Sequence, residues 1–302
     1  MNNPIINDLK AKIKSNNPVT LLIIINCSVF LLINIFRILT FLSGESSLLA
    51  SIENFIITNL SFPLSYTGLL HKPWTVITYM FMHIDFMHIF WNMISLFWFG
   101  QVLTTYTSSK KIIPLYLFGG IAGAIVTLLM ITLIPVFNSY IGAPLLGASA
   151  GVTAIIVAAA TLAPNVRMNL LFIGPVKLIY VAAFVLFIDV LNIASYSNVG
   201  GNLAHLGGAI MGFIFISQYK KGKDMGKPIN QLLSWLKNLF STNKTNNLKV
   251  VHKRKLTDEE YNYQRNVHQQ EIDVILDKIS KSGYESLSKK EKDILFNASK
   301  QK

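Results

Sequence analysis

The chain has 302 residues, of which 52% are hydrophobic and only 14% are charged. A soluble domain of this size carries about 25% charged residues, so the composition excludes an ordinary soluble protein. The formal net charge of +12 is compatible with nucleic-acid binding, but membrane proteins gain such an excess from basic residues on the cytoplasmic side, so we expect no nucleic-acid partner.

The charged residues are concentrated in the last third of the chain. Residues 1–219 contain 9 Lys and Arg and 5 Asp and Glu, whereas residues 220–302 contain 18 and 10. We therefore divide the chain into four segments. They are an N-terminal cytoplasmic segment (1–18), a membrane domain (19–219), an amphipathic helix with a polar linker (220–255), and a helical cytoplasmic tail (256–302).

Six apolar stretches approach the length of about 20 residues that a membrane-crossing helix needs. They lie at 19–38, 87–106, 113–136, 148–163, 176–193 and 203–219. The fourth and sixth are short, which predicts that they begin below the membrane surface. The sequence thus predicts an all-α, polytopic bundle of six transmembrane helices, followed by a small helical tail.

Basic residues mark alternate connections between these spans. One side would carry Lys10, Lys12, Lys14, Lys110, Lys111, Arg167, Lys177, Lys220, Lys221 and Lys223. The other side would carry only Arg37 and Lys72. Because cytoplasmic loops are enriched in Lys and Arg, both termini are expected in the cytoplasm.

The long connection between the first two spans contains a further apolar stretch, at 50–70. It is interrupted by Glu53, Asn54, Asn59 and Pro63. We interpret it as an external loop that is partly embedded in the membrane, not as a seventh span.

The segment after the sixth span has helical periodicity. Its apolar residues fall on one helical face: Ile229, Leu232, Leu233, Leu236, Leu239 and Phe240. This pattern predicts either a helix on the inner membrane surface or, equally well, a packing helix of the tail. Residues 241–255 read as a polar linker. Beyond it, capping boxes at Thr257–Glu260 and Ser288–Glu291, with Gly283 as a helix stop, predict two further helices.

Four polar residues lie inside the predicted spans, where such groups are costly and need an explanation. His88 and Asn92 are four residues apart in the second span, Ser149 begins the fourth, and His205 lies near the start of the sixth. These three spans all run from outside to inside. All four residues are therefore expected at the level of the outer leaflet.

Each of these residues also has a purely structural explanation. Ser149 lies among Gly and Ala residues that fit a helix-packing seam, and a membrane histidine often forms an interhelical hydrogen bond. Gly208 and Gly212 form a G-x-x-x-G pattern, which predicts close approach of the sixth span to the fourth. The shared depth of the four polar residues favours a catalytic site over four separate structural roles.

The residue types fit acyl-transfer chemistry. A serine hydroxyl needs a base to take its proton, and a neutral imidazole can do this and later protonate the leaving amine. The Asn92 amide, the His88 ring and the Ser149 backbone N–H could stabilise the developing oxyanion. Asp189, the only acid expected within the membrane, could assist His205, but its spacing matches no known motif. We favour a Ser–His dyad.

Three motifs in order on spans 2, 4 and 6 resemble those of rhomboid intramembrane serine proteases. They are H-x-x-x-N at 88–92, G-A-S-A-G at 147–151 and A-H-x-x-G-x-x-x-G at 204–212. Each motif is weak alone, whereas the ordered set is highly specific. The resemblance covers residues 19–219 and the order of the six spans.

The resemblance implies cleavage of transmembrane substrates near the outer membrane face, with neither a metal nor a cofactor. It makes Ser149 the nucleophile and His205 the base, and it places His88 and Asn92 in the oxyanion hole with the Ser149 backbone. His83 matches a further family histidine with a structural role. Gly147, Gly208 and Gly212 are expected to support the site through packing. The expected location is a bacterial plasma membrane.

The sequence departs from the family pattern at two positions. Where the family often carries Trp-Arg in the first external loop, this chain has Trp74 and Thr75, so that arginine-based bracing of the loop is absent. Four residues after the serine, where many rhomboids carry an aromatic that packs on the histidine, this chain has Thr153. His205 must therefore be oriented in another way.

Our interpretation is an active serine endopeptidase whose partners are transmembrane protein substrates and the lipid bilayer. The tail offers a surface for a cytoplasmic partner that the sequence does not identify. The main alternative is a catalytically idle rhomboid-like protein that binds membrane helices. The presence of both Ser149 and His205 argues against it. A transporter would be expected to show repeated halves or a path of buried charges.

Overall fold

The computed structural model describes residues 17–44, 48–170, 173–239 and 271–299. The chain forms two compact units, Met1–Ser241 and Thr242–Lys302, which are described separately. The predictions for residues 1–16, for Phe240, for the linker at 241–255 and for the capping box at Thr257–Glu260 lie outside the described residues.

The first unit is built from helices, with two short pairs of strands. The helices are α1 (Pro18–Ser43), α2 (Leu48–Leu60), α3 (Tyr66–His71), α4 (Thr75–Thr78), α5 (Phe86–Tyr106), α6 (Ile112–Leu133), α7 (Ser149–Leu162), α8 (Leu178–Ala194), α9 (Val199–Lys220) and α10 (Lys227–Leu239). Strands β1 (Phe62–Pro63) and β2 (Pro144–Leu145) pair antiparallel, as do β3 (Arg167–Leu170) and β4 (Gly174–Lys177).

Four helices of the described chain are long and apolar enough to cross a membrane. They are Pro18–Ser43, Phe86–Tyr106, Ser109–Leu133 and Val199–Lys220. Each coincides with a predicted span, which makes the chain a multi-pass membrane protein. Helices α7 and α8 coincide with the fourth and fifth predicted spans, but they have only 14 and 17 residues. Helix lengths alone therefore do not establish the six-span count.

The span boundaries differ from the sequence prediction in two places. Helix α9 has 22 residues, so the prediction that the sixth span is short is wrong. The helix begins at Val199, four residues before the predicted start. Helix α7 is short, as predicted. At 1.5 Å per residue it extends only about 21 Å, which is less than the roughly 30 Å of a bilayer core. Its central position explains how it tolerates this, since Ala150 to Ala160 are all buried.

The predicted embedded loop forms α2, strand β1 and helix α3. Helix α2 has 13 residues, about as many as α7, so its length does not decide whether it crosses the membrane, and an embedded loop in place of a seventh span stays a prediction.

Three chain segments meet on one side of the bundle. Lys111 pairs with Asp224 at 2.6 Å, and the Lys220 ammonium donates to the Thr161 carbonyl at 2.7 Å. The connection before α6, the end of α7 and the end of α9 therefore meet there. The hydrogen bond from Lys111 holds the pKa of Asp224 below its usual range.

The centre of the unit is made by α6, α7 and α9, which approach closely through small residues. A Cβ at Gly119 would lie 2.3 Å from the Ala154 Cβ, and one at Gly207 would lie 2.7 Å from the Ala122 carbonyl oxygen. The outer helices expose large apolar side chains, including Leu32 on α1 and Phe184 on α8. Such surfaces suit contact with lipid.

The described part of the second unit contains a helix at 271–282 (α11) and a helix α12 (Lys289–Ser299). Gly283, with a φ of 77°, ends α11 as predicted. The capping box at the start of α12 is also confirmed. The Ser288 N–H donates to the Glu291 carboxylate at 2.6 Å, and the Glu291 N–H donates to the Ser288 hydroxyl at 3.4 Å.

Candidate active site

Ser149 is the first residue of α7. The two residues before it are fixed by hydrogen bonds. The Gly147 N–H donates to the Tyr79 carbonyl at 2.9 Å, and the Ala148 N–H donates to His83 Nε2 at 3.3 Å. The first N–H groups of a helix have no intrahelical acceptor. The Ser149 N–H is thus placed at a rigid helix start, where the helix dipole favours negative charge.

Gly147 lies in a conformation that no other residue would adopt easily. Its φ is 127°, and a Cβ there would lie 2.7 Å from His88 Cε1. A side chain at Gly147 would therefore push the His88 ring away or move the start of α7.

The segment that holds Gly147 and Ala148 is itself attached to α6. The Tyr79 hydroxyl donates to the Gly120 carbonyl, and the Tyr116 hydroxyl donates to the Met80 carbonyl, both at 2.7 Å. Both tyrosines are fully buried. This support was not predicted from the sequence, although each tyrosine is a buried polar group that requires a partner.

His205 lies in the second turn of α9, and the glycines that follow it let α9 lie against the backbone of α7. A Cβ at Gly208 would lie 2.1 Å from the Ala150 carbonyl oxygen, and one at Gly212 would lie 2.3 Å from the Ala154 carbonyl oxygen. These are the helices that carry Ser149 and His205, and this is the close approach that the sequence predicts.

His205 makes a hydrogen bond to Asp189 of α8, with 2.7 Å between His205 Nδ1 and Asp189 Oδ1. The Asp189 side chain is only 7% exposed. The sequence makes Asp189 a candidate to assist His205, but it favours a dyad without Asp189. In the structure, Asp189 is thus a third polar residue next to Ser149 and His205 in the cavity lining, and it comes from α8, which carries neither of them.

His88 and Asn92 lie on the first turns of α5. The Asp85 carboxylate caps this helix by accepting from the Met87 N–H at 2.7 Å. The Asn92 amide donates to the His88 carbonyl at 2.9 Å. An asparagine amide has two N–H donors, so one stays available for a ligand. The His88 ring packs edge-on against His83, with 5.0 Å between the ring centroids.

The structure brings the predicted reactive residues to a single cavity of about 480 Å³, whose lining includes His88, Asn92, Ser149, Asp189 and His205. The fully buried His83 is not part of the lining and lies behind it. Trp91 and Phe184, both more than half exposed, form the rim of the cavity on the outer surface of the bundle.

A second cavity of about 390 Å³ reaches the site from the connections that precede α5 and α7, and it is lined in part by Asp85, Tyr140 and Pro144. Ser149 and His88 line both cavities. Ser149 therefore lies where the first cavity, which opens between Trp91 and Phe184, meets the second cavity, which opens among the loops. Asn198, which the sequence analysis missed, also lines both; its φ of 44° is uncommon for a residue other than glycine.

The connection between α1 and α5 is braced despite the absence of the family's arginine. The Thr75 hydroxyl is buried and donates to the Lys72 carbonyl at 2.6 Å, and the Trp74 ring N–H donates to the Asn59 carbonyl at 2.8 Å. Arg37 of α1 supplies a guanidinium from elsewhere, donating to the Ile84 carbonyl at 3.1 Å. The arginine of the family's Trp-Arg pair is therefore absent, as the sequence shows, and a different arginine contacts the end of this connection.

Comparisons with known proteins agree with the sequence motifs. A family model described as "Rhomboid domain" matches residues 70–220, and a model described as "Family of unknown function (DUF6576)" matches residues 256–301. The chain is 32% identical over 188 residues to "RHOMBOID-like protein 12, mitochondrial" of Arabidopsis thaliana. The match covers 57% of this chain and 52% of that protein, so the chain spans about half the length of the relative it matches.

Proposed function

The chain belongs to the rhomboid family, and from this premise we propose that it is an intramembrane serine endopeptidase that cleaves transmembrane-helix substrates near the outer membrane face. The observation that carries this proposal is the convergence of Ser149, His205, His88 and Asn92 on one cavity. A protein that only captured helices would need the cavity, but it would have no use for a serine in the same lining as a histidine that is held by a carboxylate.

In the proposed reaction, the Ser149 hydroxyl attacks the substrate carbonyl while His205 takes its proton. Because Asp189 occupies Nδ1, Nε2 is the nitrogen left to act. The carbonyl oxygen becomes an oxyanion that accepts hydrogen bonds from the Ser149 N–H, Asn92 and His88. His205 then gives its proton to the leaving amine, and a water activated by the same ring hydrolyses the acyl-enzyme.

The two cavities suit the two reactants. A substrate helix would reach Ser149 through the groove rimmed by Trp91 and Phe184, which opens on the lipid-facing surface. Water would reach it through the second cavity, which opens among the external loops. We propose that both termini lie in the cytoplasm, because the basic connections lie on the side opposite the site, and that the membrane is a bacterial plasma membrane.

The proposal is tested by incubating the purified protein with a panel of single-span substrates in detergent, with Ser149→Ala as the control. We expect products from the wild type only. Mass spectrometry should place the cut in the outer part of the substrate helix. If the wild type binds these substrates but neither cuts any of them nor reacts with a fluorophosphonate, the helix-binding alternative is favoured.

Asn92→Ala is expected to leave weak activity, with kcat lowered by about 10²- to 10³-fold, because one oxyanion donor is lost. Asn34→Ala is a matched control. Asn34 of α1 makes the same type of intrahelical bond, from its amide to the Phe30 carbonyl at 3.0 Å, but lies outside the cavity. Steady-state cleavage assays should show wild-type kcat for Asn34→Ala. Equal kcat values for Asn92→Ala and the wild type would remove Asn92 from the oxyanion hole.

For α10 we propose a position on the inner membrane surface. Residues 231–239 are all exposed in the first unit, including Leu232, Trp235 and Leu239. The start of the helix is anchored near the inner side, since the Asn230 amide donates to the Lys110 carbonyl at 3.1 Å. An apolar face flanked by Lys227 and Lys237 fits the boundary between lipid headgroups and acyl chains.

The tail is expected to have no part in the chemistry. The contacts that build the site join residues between Tyr79 and Gly212, all within the first unit. A variant that ends after Ser241 should therefore cleave a model substrate in detergent at the wild-type rate. If this variant is folded, as judged by its thermal unfolding, and yet inactive, the tail is part of the catalytic machinery. If the variant keeps the wild-type rate, as we expect, we propose that the region at 256–301, which matches the second family model, contacts a cytoplasmic partner.

A further inference from the structure

Asp189 is a buried acid in a helix that faces lipid. Helix α8 buries only Leu178, Ala182 and Asp189. One carboxylate oxygen bonds His205 at 2.7 Å, whereas the other, Oδ2, is buried and has no hydrogen-bond partner among the described residues. Ionisable groups are costly inside a membrane and are generally retained for function. The hydrogen-bond partner of Asp189 therefore indicates its function, and that partner is His205, the proposed base.

Four residues after the serine, where many rhomboids carry an aromatic side chain that packs on the histidine, this chain has Thr153. Thr153 is buried and lines the same cavity as His205. A threonine cannot offer a flat ring for the imidazole to pack against. The distance of 2.7 Å to Asp189 Oδ1 lies in the range of charge-assisted hydrogen bonds. This contact fixes both the direction of the ring and the nitrogen that carries the proton.

We propose that Asp189 is a positioning residue that orients His205 for the reaction with Ser149; this inference rests on the proposed function. Asp189 accepts the Nδ1 proton, so Nε2 is unprotonated and can receive the proton of the Ser149 hydroxyl. When the imidazolium forms, the carboxylate stabilises its charge while remaining ionised. The working unit is then a triad drawn from α7, α8 and α9, in place of the dyad favoured from sequence.

The test compares Asp189→Asn and Asp189→Glu with the wild type in detergent, measuring kcat, KM and thermal unfolding. Asparagine has the same size as aspartate, but its amide can donate to Nδ1 and so stabilise the unproductive tautomer. In a soluble triad, the corresponding change lowers kcat by about 10⁴-fold. We expect a loss of at least about 100-fold in kcat, little change in KM and unchanged unfolding. Asp189→Glu retains a carboxylate and should be faster than Asp189→Asn.

Two controls separate positioning from packing. Val190→Thr changes the neighbouring residue of α8, which is half exposed, and should keep the wild-type kcat. In a double variant with His205→Asn, adding Asp189→Asn should cause no further loss, since residues that act as a unit are non-additive.

The outcomes also distinguish this inference from the proposed function. If the wild type cleaves, Ser149→Ala does not, and Asp189→Asn has a kcat within about threefold of the wild type, the positioning role is excluded while the protease proposal stands. An Asp189→Glu variant no faster than Asp189→Asn would also overturn it. If the wild type itself neither cleaves substrates nor reacts with a fluorophosphonate, the proposed function is wrong, and the positioning role of Asp189 is wrong with it.

Discussion

Ser149→Ala and His205→Asn should each abolish cleavage, with losses that approach the roughly 10⁶-fold seen when the nucleophile or base of a serine protease is removed. Alanine at Ser149 removes the hydroxyl that is proposed to attack the substrate carbonyl. Asparagine at His205 retains a nitrogen near the position of Nδ1, which can still donate to Asp189, but it lacks Nε2. This choice avoids leaving the buried carboxylate unpaired, which would itself destabilise the protein by about 3–5 kcal/mol.

The measurement is cleavage of a single-span substrate, together with labelling by a fluorophosphonate, which reports an activated serine without requiring the natural substrate. Both variants should unfold at the wild-type temperature and remain unlabelled. The double variant should be no slower than either single variant. Near-wild-type turnover of Ser149→Ala would show that another residue is the nucleophile, and the proposed mechanism would be wrong.

The positions proposed to carry the chemistry were accessible from sequence because each lies near the start of a strongly apolar span. His88, Ser149 and His205 are separated by more than 50 residues along the chain, yet the direction predicted for each span places all three at one depth. Depth depends only on hydrophobic length and on loop charge, both of which are local properties of the sequence. Their presence along one cavity follows from that shared depth.

The contact between Asp189 and His205 was not accessible in the same way. It depends on the rotation of α8 about its own axis. That helix is apolar on all sides, so periodicity does not show which face meets α9. The same limit applies to Arg37, which bonds a carbonyl 47 residues away, and to Tyr79 and Tyr116, whose partners lie on other segments. Such contacts depend on the packing of helices, which residue patterns do not specify.

Contacts made by small residues are an exception, because glycine allows a neighbouring helix to approach closely whatever residue that helix carries. The G-x-x-x-G pattern at Gly208 and Gly212 predicts a close helix approach from sequence alone. In the structure, the approach is so close that even a methyl group would meet the Ala150 carbonyl oxygen at 2.1 Å. This contact leads to a second prediction, in which no reacting group is changed.

Gly208→Ala is expected to lower kcat by about 100-fold, and Gly208→Leu to abolish cleavage. The added Cβ meets backbone, which cannot rotate away, so α9 must move about 1 Å from α7 to restore an ordinary contact. A misplacement of this size in an active site typically costs on the order of 10²-fold. Gly212→Ala should lose less, although its Cβ would lie 2.3 Å from the Ala154 carbonyl oxygen, because it is one turn farther from His205.

Ile210 provides a control on the same helix, since its side chain is 54% exposed. Ile210→Ala should keep the wild-type kcat, which would show that the losses come from the face of α9 that contacts α7. Cleavage and fluorophosphonate labelling should fall together in the Gly208 variants, because the moved His205 can no longer activate Ser149. If Gly208→Leu and Gly212→Leu both retain full activity, this glycine face does not set the distance between the helices, and the site must be held together by other contacts.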